Sequence, residues 1–403
     1  MINRDNHVMD DYENNFNYIK DRLYSQRRRR FRRETLGSKV PEIEEIPGIT
    51  VVGHEPIRQR PETTLARLDP SDMTPSLRTL VDQFGPPEVG VRGLVKAYTY
   101  QLQQRPKDED VSAPTPDQMK ALASMLCNDH IRTDDVVGSR LITKEIVSDL
   151  DAFSRYFNEF IQYTHITPTS SPGYPLDQTY PTNRAVLNNS EAVMALMLDV
   201  HARLEAIYDG VVGKGAQGLA KVFIKREPHP RLKITQGRFR DIKSLDLTDL
   251  LVCKIVMGPF VTGTYNHTEK YATKVGMDVN THEGIKTLFN YVNNQTLGEH
   301  VYETDISSWD FKYRAWMWRV CGAAIKIAGK KFYKNLYSET EYNNFCKAVD
   351  TLIENYIDTT YIFPDGTTFK FAVNGLMNSG SYLTSIFNSW GNIALNAWAR
   401  KEL

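Results

Sequence analysis

Apolar residues recur at helical spacing over much of the chain beyond residue ~115. Asn189-Ser190-Glu191 opens a stretch in which Val193, Met194, Met197, Val200, Leu204 and Ile207 share one face, and Gly210 closes it. An N-capping Asn-Ser pair and a glycine stop predict one helix over this span, its stripe facing the core. Residues 315–357 and the segment from about Ser381 to the C-terminus also read as helices. Val301–Ile306 is a short β-prone run. Tyr361-Ile362-Phe363 and Thr368-Phe369-Lys370-Phe371 flank Pro364-Asp365-Gly366, which predicts a hairpin. Between residues 167 and 183 four prolines interrupt any helix. The pattern predicts an α+β protein without internal repeats.

Composition narrows this reading. Hydrophobic residues make up 41% of 403 positions, enough for a sizeable core. Lys plus Arg equals Asp plus Glu at 49 each, so a uniformly basic coat is excluded while local patches are not. The four cysteines lie far apart without metal-ligand spacing, which suits a reducing compartment. The first residues, MINRDNHVMDDYENN, are too polar for a secretory signal. The most apolar run, Leu250 to Phe260, is short and broken by Lys254, so no transmembrane segment is expected. Residues 1–85, with the run QRRRRFRR at 26–33, read as a basic, largely disordered arm or linker. The arginines suit phosphates or an acidic partner, and equally a solvated charge block.

Three segments carry candidate chemistry. Residues 379–388 fit S-G-x-x-x-T-x-x-x-N, with Gly380 allowing a tight backbone where a loop becomes a helix. Thr384 and Asn388, four apart, project from one helix face, and Asn392 and Asn396 continue the row. Asp305-Ile306-Ser307-Ser308-Trp309-Asp310 places a carboxylate at the end of a β-run, a suitable hard ligand for Mg²⁺ on phosphates. Residues 221–243 hold eight basic side chains (Lys221, Lys225, Arg226, Arg231, Lys233, Arg238, Arg240 and Lys243). Pro228 and Pro230 argue against a helix there, so an extended hairpin is expected, with Arg238 and Arg240 on one side. Such a row suits a triphosphate or a polynucleotide backbone, or simply a soluble edge strand.

Ser171-Pro172-Gly173-Tyr174-Pro175, then KREPHPRLK and GRFRDI, then DISSWD, then GLMNSGSYLTSIFNS resemble, in that order, motifs G, F, A and B of viral RNA-dependent RNA polymerases. The wording is similar to positive-strand RNA viruses of the sobemovirus and polerovirus kind, over roughly residues 165–400. The resemblance implies a right-hand polymerase fold. Residues 86–300 would be fingers with motifs G and F, and 301–403 a partial palm with motifs A and B around a helical insertion. Asp305 would be catalytic and hold Mg²⁺, or Mn²⁺. Asp310, Ser379, Gly380, Thr384 and Asn388 would meet the ribose and nucleotide. Lys225, Arg238 and Arg240 would bind the triphosphate, with Glu227 bracing their hairpin. Ser171, Pro172, Gly173 and Tyr174 would guide the template.

The implied partners are an RNA template with its nascent strand, ribonucleoside triphosphates and other viral replication proteins. The implied location is the host cytoplasm, at membrane-associated replication sites through partners. No Gly-Asp-Asp occurs anywhere in the sequence, and the chain stops fifteen residues past Asn388. The expectation is therefore an incomplete palm without motif C or thumb, inactive by itself. Asp134-Asp135 is the best relocated candidate for the second carboxylate. A non-catalytic RNA-binding protein and a reverse transcriptase-like palm polymerase are the alternatives. An enzyme that must exclude a 2′-hydroxyl has no use for the Asp310/Asn388 pair, which argues against the latter.

Overall fold

The computed structural model describes residue 43 and residues 46–58, 83–107, 111–131, 136, 141–266, 273–275, 277, 279–296 and 305–400. Everything from Ile46 onward belongs to one unit, and the elements below lie in it. The arginine run at 26–33, Asp134-Asp135 and Val301–Thr304 fall outside the described residues.

A mixed sheet forms where β-branched and aromatic residues alternate. Strand β1 (Ile49–His54) pairs antiparallel with the later strand Thr367–Phe371, with an irregularity between Val51 and Gly53. Part of the span read as an arm is thus an edge strand; Ile49 is buried there by its partner Phe371. A two-residue strand β2 (Phe84–Gly85) leads to helix α1 (Gly90–Gln104). Helix α2 (Pro116–His130) starts on a capping box in which the Thr115 hydroxyl accepts from the Gln118 amide. Helices α3 (Lys144–Ser148), α4 (Leu150–Tyr163) and α5 (Asn183–Leu187) follow.

Helix α6 (Ser190–Asp209) begins and ends where the sequence signals place it, with Asn189 as N-cap and Gly210 left-handed at its end. Its buried face runs through Leu196, Val200, Leu204 and Ile207, whereas Met194 from the expected stripe is 45% exposed. One rotation of the wheel explains the difference: Ala192 and Leu196 face in, and the methionines flank them.

The cationic segment folds as β3 (Ala220–Ile224), β4 (His229–Pro230), a short helix α7 (Arg231–Thr235) and β5 (Asp241–Ser244). Strands β3 and β5 are antiparallel, Ile224 opposite Asp241 and Lys221 opposite Ser244. The expected hairpin is there, but α7 corrects the exclusion of a helix. Pro228 and Pro230 both precede it, and proline is disruptive inside a helix rather than ahead of one.

Next come α8 (Leu247–Val256), α9 (Gly258–Asn266) and α10 (His282–Thr296). The apolar run from Leu250 is core, with Leu251, Val252 and Ile255 buried. Among the described residues no single helix is long and apolar enough to cross a membrane. A one-turn helix α11 (Trp309–Lys312) precedes α12 (Ala315–Leu336) and α13 (Glu339–Ile357). Ion pairs Arg319–Glu354, Lys326–Asp350 and Lys334–Glu339 run in opposite senses along the two helices, as antiparallel neighbours require. The predicted hairpin is β6 (Tyr361–Ile362) and β7 (Thr367–Phe371), and the last helix is α14 (Thr384–Arg400).

The sheet order is β1-β7-β6-β3-β5, with β6 and β3 parallel and the other pairs antiparallel. Tyr98 of α1 is fully buried against it, with Phe311, Phe363, Phe369 and Phe371 at ring separations of 5.1–6.1 Å. On the helical side Trp318 stacks on Tyr356 at 5.2 Å and meets Phe387 of α14 at 5.4 Å. The candidate site lies at the free edge of this sheet, along β5.

Candidate functional site

Asp305 is exposed and lies just before a turn; neither it nor Ile306 belongs to a strand. Ser308 turns the chain with φ at +58°, a left-handed conformation that costs a non-glycine residue about 1–2 kcal/mol. Buried Phe311 then fixes α11 in the aromatic core, which leaves Asp310 half-buried at the rim. The Asp310 carbonyl accepts the Met377 amide at 2.9 Å. Trp309 Nε1 donates to Asn388 Oδ1 at 2.8 Å. Two bonds therefore tie the acidic turn to the loop and helix of the S-G-x-x-x-T-x-x-x-N segment.

That loop is held from below by Asn378, which is fully buried. Its Oδ1 accepts the Tyr361 hydroxyl at 2.8 Å, and its Nδ2 donates to Thr359 Oγ1 at 2.9 Å. The sequence reading passed over Asn378; the available signal was an amide with no solvent-facing neighbour in Leu376-Met377-Asn378. Ser379 Oγ accepts the Lys243 amide at 3.3 Å and donates to the Asp241 carbonyl at 3.4 Å. The Gly380 amide donates to the Lys243 carbonyl at 3.0 Å. A Cβ on Gly380 would sit 2.8 Å from that carbonyl oxygen, so only glycine allows this approach. Thr384 Oγ1 donates to the Asn378 carbonyl at 2.7 Å and closes the turn into α14. Ser379 and Thr384 thus spend their hydroxyls on the chain itself, while Asp310 and Asn388 are tied to the same junction of loop and turn, Asp310 through its carbonyl and Asn388 through Trp309.

The cationic hairpin supplies the third side. At its neck the Lys225 amide donates to the Arg240 carbonyl at 2.8 Å. Glu227 lies between the two cations, 2.8 Å from Lys225 Nζ and 3.1 Å from Arg240 Nη1. The Lys225 bond, with the Arg240 charge, holds its carboxyl below the usual range. Arg240 remains exposed. Arg238 does not sit beside it as expected. Both precede β5 instead of lying in it, and Arg238 is half-buried over the Tyr100 ring, 5.4 Å from its centroid. Lys243, counted from sequence with the exposed row, is fully buried.

Burial pushes the Asp310 carboxyl up; the charges of Lys243 and Arg240 oppose this, and Asp241 adds to it. Side chains from the turn and the hairpin therefore share one electrostatic environment.

The Ser171–Tyr174 loop packs on the far end of the same strand. Leu247 donates its amide to the Pro172 carbonyl at 2.7 Å. Gly173, at φ +73°, has Asp246 Cα where its Cβ would be, a 2.6 Å clash. Pro172, Gly173 and Tyr174 are buried and Ser171 is exposed.

Asp305 offers one hard oxygen ligand, but among the described residues no group of three or more His, Cys, Asp or Glu side chains could hold a metal ion. The described donor set does not by itself make a divalent-cation site.

Residues 111–397 match the family of viral RNA-dependent RNA polymerases. The match spans well over half the chain, and the chain belongs to that family. It is 28% identical over 237 residues to the replicase polyprotein P2AB of Southern bean mosaic virus, covering 57% of this chain and 24% of that protein. It is 29% identical over 258 residues to the RNA-directed RNA polymerase of mushroom bacilliform virus, covering 61% and 58%. Similarity to protein P1-P2 of potato leafroll virus is 25% over 190 residues, covering 44% and 17%. The chain thus spans about a quarter, 58% and about a sixth of these three relatives. Relatives of the sobemovirus and polerovirus kind are those the motif wording pointed to.

Proposed function

We propose that this chain provides the fingers and part of the palm of a right-hand polymerase that joins ribonucleoside triphosphates on an RNA template during viral genome replication. The observation that carries this reading is the meeting of three segments on β5. The Gly380–Lys243 and Met377–Asp310 bonds bring together the basic hairpin, the acidic turn and the glycine loop, which are 60 or more residues apart in sequence.

Each residue then has a role that its chemistry fits. Lys225 and Arg240, preset by Glu227, face a triphosphate, and charge-assisted bonds to phosphate are the strong ones. Arg238 lies deeper and steadies the hairpin against Tyr100. Asp310 accepts a hydrogen bond from the ribose 2′-hydroxyl, and Asn388, fixed by Trp309, supplies an amide for the same group. Gly380 and the loop around it let a nucleotide approach backbone closely. Ser171, at the exposed edge of its loop, contacts the template strand, and Pro172, Gly173 and Tyr174 hold that loop in place.

Asp305, exposed at the start of the acidic turn, is a carboxylate that suits Mg²⁺ or Mn²⁺. Metal ions in such enzymes neutralise charge developing during phosphoryl transfer. Among the described residues no group of three or more His, Cys, Asp or Glu side chains completes a site around it. The chain is proposed to bind RNA and nucleotide, with the complete activity drawing on further viral replication proteins in the host cytoplasm.

Binding of ATP and of AMP to the chain tests this reading. Arg240→Ala is expected to weaken ATP about tenfold or more, the worth of one charge-assisted bond, and to leave AMP nearly unchanged. Equal losses for both ligands, or none, would remove the triphosphate role.

A further inference from the structure

Strand β5 turns its charges inward. Asp241 and Lys243 are buried, while Ile242 and Ser244 between them are only half-buried. Lys243 Nζ lies 2.8 Å from Asp241 Oδ2, a distance at which opposite charges attract strongly. Yet neither atom has an aligned hydrogen-bond partner. An ammonium has three donors, and burying it without directed partners is unfavourable by several kcal/mol. A methionine would fill the same space without that penalty, so the charge itself needs a reason.

Its surroundings supply one. Nζ lies 4.4 Å from the centroid of Phe311, the residue after Asp310. The backbone of Lys243 is bonded on both sides, to Ser379 and Gly380. The charged groups acting on Asp310 are Lys243, Asp241 and Arg240, with the Tyr361 hydroxyl also close enough to interact. Arg240 is exposed and already bonded to Glu227, so solvent screens it; Lys243 is not screened.

We propose that Lys243 is a positioning residue for ribose recognition: its buried ammonium keeps Asp310 a charged acceptor for the 2′-hydroxyl, while its backbone seats the Ser379-Gly380 loop beside it. Asp241 balances the ammonium. The inference rests on Asp310 being the ribose-sensing carboxylate.

The test uses the full chain with two readouts. The first is the titration midpoint of the Asp310 carboxyl by carbon NMR, assigned through the signal lost in Asp310→Asn. The second is the affinity ratio of ATP to dATP. Lys243→Met is expected to raise the midpoint by about one unit or more, because one opposing charge is removed. At a pH between the wild-type and variant midpoints it is expected to lower ATP affinity toward that of dATP and leave dATP unchanged. Lys243→Arg restores both readouts. Asp241→Asn moves the midpoint down, since a like charge acting on Asp310 is removed. A merely structural loosening would move both variants the same way. An unchanged midpoint in Lys243→Met, or a rise in both variants, overturns the inference. Should Lys243→Met not fold, Lys243→Gln carries the same expectation, and an unchanged midpoint in it overturns the inference. A wild-type chain that binds dATP as tightly as ATP while the midpoints move as expected overturns the ribose reading instead, and the inference falls with it.

Discussion

Gly380→Ala adds one methyl group where the glycine loop meets β5. The new Cβ would lie 2.8 Å from the Lys243 carbonyl oxygen, 2.9 Å from Ser244 Cα and 3.2 Å from the Lys243 carbonyl carbon. All three are backbone atoms of a paired strand and cannot rotate away. Ordinary contact begins near ~3.5 Å, so the loop must retreat by about 0.6 Å. The Gly380 amide bond, now 3.0 Å, then stretches past useful length. Overpacking of this kind costs roughly 1–3 kcal/mol and the lost bond about 1 kcal/mol. Urea unfolding of the full chain is expected to show a loss of about 2–4 kcal/mol. If the loop lifts instead of straining, the stability loss shrinks and ATP affinity falls, because Ser379 and Asn378 move with it. Stability within about 0.5 kcal/mol of wild type together with unchanged ATP binding would refute the argument that the loop is held by this contact.

Two further changes probe the frame and its charges. Asn378→Ala leaves the Tyr361 hydroxyl and Thr359 without their amide partner inside the core, and about 2–4 kcal/mol is expected to be lost in urea unfolding; a loss below about 1 kcal/mol would mean the loop does not depend on it. Asp249, buried beside Asp246 and bonded to Arg203 and the Gly218 amide, is pushed up to about 7, first by burial and then by the Asp246 charge against the opposing Arg203. The folded chain then retains a proton that the unfolded chain releases near pH ~4, so the contribution of this group to stability is fully present below that value and is lost as pH rises through about 7. At about 1.4 kcal/mol per unit the span reaches roughly 4 kcal/mol. Asp249→Asn is expected to flatten that slope, and an unchanged slope would place the proton elsewhere.

The site also explains why its parts cannot be judged singly. Ser379 and Thr384 look like ligand-facing hydroxyls along a helix, yet both close backbone turns. Their contribution is to hold Gly380 against β5, so their loss would act through the loop. Asn388 is fixed by Trp309, a residue quoted within the acidic motif but given no role from sequence.

Local signals in the sequence determined much of this protein. Asn189 and Gly210 delimit a helix because capping and left-handed termination depend on neighbours alone. Pro364-Asp365-Gly366 makes its hairpin for the same reason. The order of four motifs identified the family, since each motif is a short stretch. Other features could not be read locally. Ile49–His54 becomes a strand because β7, more than 300 residues later, offers an edge. Lys243 reads as one more solvent-facing cation until β3 fixes the register; in a strand one residue of slip reverses every side chain. Pairing Ile224 with Asp241 turns both charges of β5 inward, and that is a decision of tertiary contacts. Sequence supplied the residues that can bind a nucleotide, whereas packing selected which of them face it and which hold the others in place.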